Sequence, residues 1–128
     1  MRFLLDTQVL LWAASGSKRL SAETRRVLND RENALYFSAA SLWEVAIKKG
    51  LGRADFEVDP RSLRMALIEN EFIELPVTSA HAVAIDLLPP LHKDPFDRML
   101  VAQAISERMA LMTADAGLVK YPAIIRKI

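Results

Sequence analysis

The sequence predicts an α/β domain, a three-layer α/β/α sandwich built on a mostly parallel sheet of four or five strands. Three observations predict it. Short apolar runs alternate with longer segments of helical periodicity, as expected of a parallel sheet covered on both faces. Several helical segments open on capping residues, twice in the form Asp-Pro, at Asp59-Pro60 and Asp94-Pro95. The 128 residues, 52% apolar and 26% charged, match one globular domain spanning 1–128, and no linker or repeat interrupts them.

Phe3-Leu4-Leu5 is the first run, and it ends at Asp6; Thr7 to Ala14 then reads as a helix. Ser21 caps a second helix to about Leu28, followed by the run Leu35-Tyr36-Phe37. Ser38 opens a third helix, in which Ala39, Leu42, Trp43, Ala46 and Ile47 have the spacing of one buried face. Lys48-Lys49 suit its negative end and Gly50 stops it. Asp59-Pro60 opens a helix to about Asn70, and the run Phe72 to Leu75 is stopped by Pro76. Thr78 caps a helix that ends before Pro89-Pro90. The helix from Asp94-Pro95 to about Arg108 is apolar at most positions, so it should be buried on more than one side. Leu111-Met112-Thr113 is a fourth run, and Ile124-Ile125 is a candidate fifth.

Composition excludes several functions. The absence of cysteine removes disulfides, thiolate metal sites and a thiol nucleophile, and fits a reducing cytoplasm. With four glycines, a Gly-rich phosphate cradle is not expected. Asp6 interrupts the apolar start and Ser15-Gly16-Ser17-Lys18 ends it, so it does not read as a signal peptide. No stretch reaches the roughly 18 apolar residues of a membrane span. The net charge of +1 means that a nucleic acid would be held by a local basic patch.

Sites in open parallel sheets form outside the carboxyl ends of the strands. Asp6 follows the first run, Glu44 lies within the third helix, Asp97 is in the first turn of the long apolar helix, and Asp115 follows the fourth run. Each has an ordinary structural explanation: Asp6 as a cap, Glu44 as an i,i+4 partner of Lys48, Asp97 as a capping-box acid behind the cap Asp94, Asp115 as a turn residue beside Gly117. Gathered together they would repel, by roughly 4 kcal/mol per pair at about 4 Å and an effective dielectric of about 20. A cation must then neutralise them. Oxygen-only ligands favour magnesium or manganese, which bind phosphates and lower the pKa of a bound water.

Phe-Leu-Leu-Asp-Thr at 3–7 followed by Val-Leu-Leu-Trp at 9–12, Ser-Ala-Ala-Ser-Leu-Trp-Glu at 38–44, His-Lys-Asp-Pro-Phe-Asp-Arg-Met-Leu-Val-Ala-Gln-Ala at 92–104 and Leu-Met-Thr-Ala-Asp at 111–115 resemble, in order, the acidic motifs of PIN-domain proteins. The segment 92–104 is similar to one branch of the VapC-like ribonuclease toxins. The resemblance implies a PIN-like fold and cleavage of RNA phosphodiesters with Mg2+ or Mn2+. It implies Asp6, Glu44 and Asp97 as core metal-binding acids, Asp115 as a fourth, peripheral one, a cognate antitoxin as partner and a homodimer. Asp94 competes with Asp97 for the third position, and its role as a cap favours Asp97.

Lys48, Lys49, Arg53, Lys93 and Arg98 are candidate phosphate contacts, although solvated surface explains each of them individually. His81 and His92 could bind phosphate or shuttle protons, but read more simply as surface or packing residues. Thr7 and Ser41 read as caps or as partners of the carboxylates, and Trp12 and Trp43 as core or interface. Two rival functions stand beside the nuclease. A phosphatase or phosphotransferase would use Asp6 as a covalent nucleophile, against which Thr7-Gln8 stand where an Asp-x-Asp pair is expected. A non-catalytic module would bind RNA or a partner without cutting.

Overall fold

The structure, a computed structural model, describes residues 1–54 and 57–128. The elements are β1 (Arg2–Leu5), α1 (Thr7–Ser15), α2 (Ala22–Asn29), β2 (Ala34–Ser38), α3 (Ala39–Gly50), α4 (Pro60–Glu69), β3 (Ile73–Leu75), α5 (Ser79–Ala84), α6 (Pro95–Glu107), β4 (Ala110–Thr113) and β5 (Ile124–Lys127). The strands form one sheet in the order β3-β2-β1-β4-β5, with every neighbouring pair parallel. The expected class is therefore observed, and Ile124-Ile125 do begin a fifth strand.

β1 is central and its side chains alternate between two cores. Phe3 and Leu5 join the cluster with Val9, Leu10, Val45, Leu63 and Leu67 from α1, α3 and α4. Leu4 points the other way, into the cluster with Leu100, Val101 and Ala104 of α6. Burial on both faces explains why the strand reads as an unbroken apolar run without alternation. The side chains of Ser21, Ser38, Asp59, Thr78 and Asp94 all accept from backbone N–H groups of the helices they open. The segment opened by Thr78 divides into α5 and a 3-10 turn at Ile85–Leu87. In α6, Leu100 through Ala104 are buried in succession, so this helix is covered on more than one side, as its composition implied.

The expected face of α3 is a correction. The helix buries Ala40, Ser41, Glu44 and Val45, while Trp43 is 64% and Ile47 38% exposed. Apolar residues populate more than one face of this helix, so periodicity alone does not settle its rotation. The inward face is set by Val45 in the core and by a carboxylate held at the sheet's edge. The Trp43 ring instead meets Phe96 of α6 edge-on, with centroids 5.2 Å apart. Among the described residues, no helix is long and apolar enough to cross a membrane.

Candidate functional site

The chain leaves β1 toward β2 and β3, then returns to place β4 on the other side of β1. Strand order reverses there, and a crevice opens beyond the carboxyl ends of the two strands. It is a pocket of about 350 Å3 whose lining includes Asp6, Glu44, Asp94, Asp97, Asp115, Lys48 and Arg53. A larger cavity of about 460 Å3, with Leu20, Leu67 and Phe72 in its wall, has no acidic residue among the described residues of its lining. Size therefore does not mark the site; the convergence of charge does.

Asp6 caps α1, and one carboxylate oxygen accepts the Val9 N–H at 2.9 Å. The other accepts a short hydrogen bond from the Thr113 hydroxyl at the end of β4. The Asp6 N–H also donates to the Met112 carbonyl at 2.9 Å, which extends the β1–β4 ladder to the site. Thr7 donates to Ser41 at 2.9 Å and so fixes the start of α1 against α3. Glu44 is almost completely buried; its Oε2 pairs with Lys48, one helical turn on, while among the described residues its Oε1 has no hydrogen-bond partner. Asp94 uses Oδ1 to cap α6, accepting from Phe96 at 2.8 Å and Asp97 at 3.2 Å. Asp115 accepts the Gly117 N–H at 2.8 Å through Oδ1, and its Oδ2 lies 3.0 Å from His92 Nε2.

Charge in this pocket is unfavourable without a counterion. Burial raises the Asp97 carboxyl to about 7, with Asp94, Glu44 and Asp6 adding repulsion and His92 opposing it. Asp6 is also raised, chiefly by burial, against the hydrogen bonds from Thr113 and Val9; Asp115 and Glu44 push it further up. An unpaired buried carboxylate oxygen on Glu44 is a cost that native interiors rarely carry. Among the described residues, the group whose ligand-type atoms lie within 4.8 Å of one another is His92, Asp97 and Asp115. Asp6 and Glu44 line the same pocket outside that group, and the carboxylate oxygens there are donors that suit a hard dication.

A family model for the PIN domain matches residues 3–124. The chain belongs to the PIN domain family. Its fold is similar to that of solved toxin–antitoxin complexes. VapBC2 from Rickettsia felis bound to a promoter DNA fragment matches at TM-score 0.73 and 17% identity, over 99% of this chain and 98% of that one. DNA-bound VapBC from Salmonella typhimurium matches at 0.70 and 16%, over 99% and 98%. A toxin–antitoxin complex from Klebsiella pneumoniae matches at 0.62 and 21%, over 98% of each chain. No curated protein sequence matches this chain.

In this PIN domain the structure brings Asp6, Glu44, Asp97 and Asp115 to one pocket, with Lys48 and Arg53 in its wall. Lys93 is exposed and lies outside that lining. Arg98 does not reach the pocket either. Its guanidinium donates to the carbonyls of Pro89 at 3.1 Å and Ile85 at 3.3 Å and to the Tyr121 hydroxyl at 3.2 Å. It ties the loop before α6 to the segment before β5, so its proximity in sequence to Asp97 is misleading. Arg98→Ala is expected to cost about 2 kcal/mol of stability, from these charged hydrogen bonds, and to leave divalent-ion affinity unchanged. Thermal melting and an Mn2+ titration of the variant check both.

One residue of the site went unrecognised in sequence and another was discounted. Thr113 read only as the end of an apolar run, and His92, weighed as a phosphate or proton partner, read more simply as a surface or packing residue. Neither has a local signature, because their partners Asp6 and Asp115 lie 107 and 23 residues away.

Proposed function

We propose that the chain is an endoribonuclease dependent on Mg2+ or Mn2+, and the toxin of a toxin–antitoxin pair. The observation that carries this reading is a buried Glu44 whose Oε1 has no hydrogen-bond partner among the described residues, on the wall of a pocket lined by acids from separate elements of the fold. Asp6, Glu44 and Asp97 would hold the ion, and Asp115 would assist from the rim. Bound there, the ion would polarise the RNA phosphodiester and activate water for its attack.

The protein's own groups prepare the pocket. Thr113 and the Val9 N–H hold both Asp6 oxygens in a fixed orientation. Those same bonds disfavour Asp6 as a covalent nucleophile and weigh against the phosphotransfer reading. Lys48 secures one Glu44 oxygen, while the other has no hydrogen-bond partner among the described residues. Lys48 and Arg53 in the wall would add positive charge near the phosphates of a bound RNA.

The VapBC complexes of like fold support a cognate antitoxin as partner. The exposed Trp43, packed against Phe96, supports a homodimer that covers this apolar face. RNA cleavage should appear with Mg2+ or Mn2+, vanish with EDTA and return when the metal is restored. Cleavage indifferent to EDTA would end the metal reading. No cleavage of any RNA, with no growth arrest on expression, would favour a binding module.

A further inference from the structure

Given the metal-dependent reading above, we infer that His92 is a positioning residue that clamps the acidic cluster from outside the metal's ligand shell. His92 Nε2 lies 3.0 Å from Asp115 Oδ2 and 3.6 Å from Asp97 Oδ2. Ligand-type atoms of His92, Asp97 and Asp115 all lie within 4.8 Å of one another, close enough for one ion to bind all of them. The other ring nitrogen decides against that. The backbone N–H of Asp94 points at His92 Nδ1 across 3.1 Å. A backbone N–H only donates, so Nδ1 accepts and carries no hydrogen. The ring hydrogen therefore sits on Nε2, directed at the carboxylates. A nitrogen bearing that hydrogen is a donor and has no lone pair for a cation.

The consequence is a chain of directed bonds. The residue that caps α6 orients the imidazole through its own N–H, and the imidazole donates to Asp115. Asp115 is held on its other oxygen by Gly117 N–H at 2.8 Å. Packing leaves this arrangement little slack. A Cβ at position 117 would stand 3.1 Å from Asp115 Oδ1 and 3.4 Å from His92 Cδ2. His92 thus fixes the fourth acid beside Asp97 and offsets part of the repulsion between them, as second partners of metal-binding carboxylates do.

The test is Mn2+ binding to the full chain, followed by titration calorimetry and by pulsed EPR of the bound ion, alongside melting curves. His92→Ala should weaken Mn2+ about tenfold or more, the usual effect of losing such a partner. His92→Gln places an amide N–H near the Nε2 position and should restore the affinity to within about threefold of the parent. The parent's EPR should show no imidazole nitrogen coupled to manganese. Equal affinity in His92→Ala and the parent would overturn the role. So would nitrogen coupling in the parent that disappears in His92→Gln, since His92 would then be a ligand; this comparison decides even if His92→Ala does not fold. A parent that binds no Mn2+ would remove the metal reading itself, and the clamp with it.

Discussion

Asp6→Asn is expected to slow metal-dependent RNA cleavage by about a thousandfold or more, equivalent to roughly 4 kcal/mol of transition-state stabilisation. The fold should survive the change. Asp6 is 5% exposed and its carboxyl is pushed up by burial, so its charge is held against a desolvation cost that asparagine does not carry. The asparagine oxygen can still accept the Val9 N–H. The Thr113 hydroxyl, which donates in the parent, can turn to accept from the new amide. Initial cleavage rates, RNA affinity and melting curves of parent and variant together check this. A variant that cuts as fast as the parent would eliminate the carboxylate-held ion as the source of catalysis. A variant that unfolds would say instead that Asp6 is first a structural cap.

The second large effect joins pH to metal. The folded Asp97 carboxyl titrates near 7, against 3.8 for the ordinary group. A raised acid binds its proton more tightly in the folded chain than in the unfolded one. Stability of the metal-free protein is therefore greatest below about 4, as far as this group goes, and falls as pH rises toward 7. Asp6 is shifted in the same direction and adds to the fall. Asp59 is lowered by its bonds to Ser62, so its contribution is lost only as pH drops below the usual carboxylate range. It does not cancel the loss across the interval between about 4 and 7. A divalent ion reverses the trend by displacing the proton, and its affinity should tighten as pH rises through 7. At 100 times its dissociation constant it should add about 2.7 kcal/mol, on the order of 10 °C in melting temperature. Melting curves between pH 5 and pH 8, with EDTA and with Mn2+, measure both slopes. A metal-free protein whose stability rises over that interval would show that the acids are not crowded as described.

Much of this was legible in the chain itself. Asp59-Pro60 and Asp94-Pro95 announce helix starts because capping and proline geometry are local properties of a few residues. Phe3-Leu4-Leu5 and Leu111-Met112 read as strands buried on both sides because a central parallel strand has no solvent face. Those features determine the element order, the parallel sheet and the placing of Asp6 and Asp115 at strand ends. Tertiary structure alone decided the rest. It turned Glu44 inward and Trp43 outward, a choice that periodicity leaves open when apolar residues populate more than one face of a helix. It sent the Arg98 guanidinium to the carbonyls of Pro89 and Ile85, away from the acids. It also joined Thr113 to Asp6 and His92 to Asp115. Such pairs depend on β4 returning beside β1, and strand order is set by the packing of the whole sheet, which no short window of residues encodes.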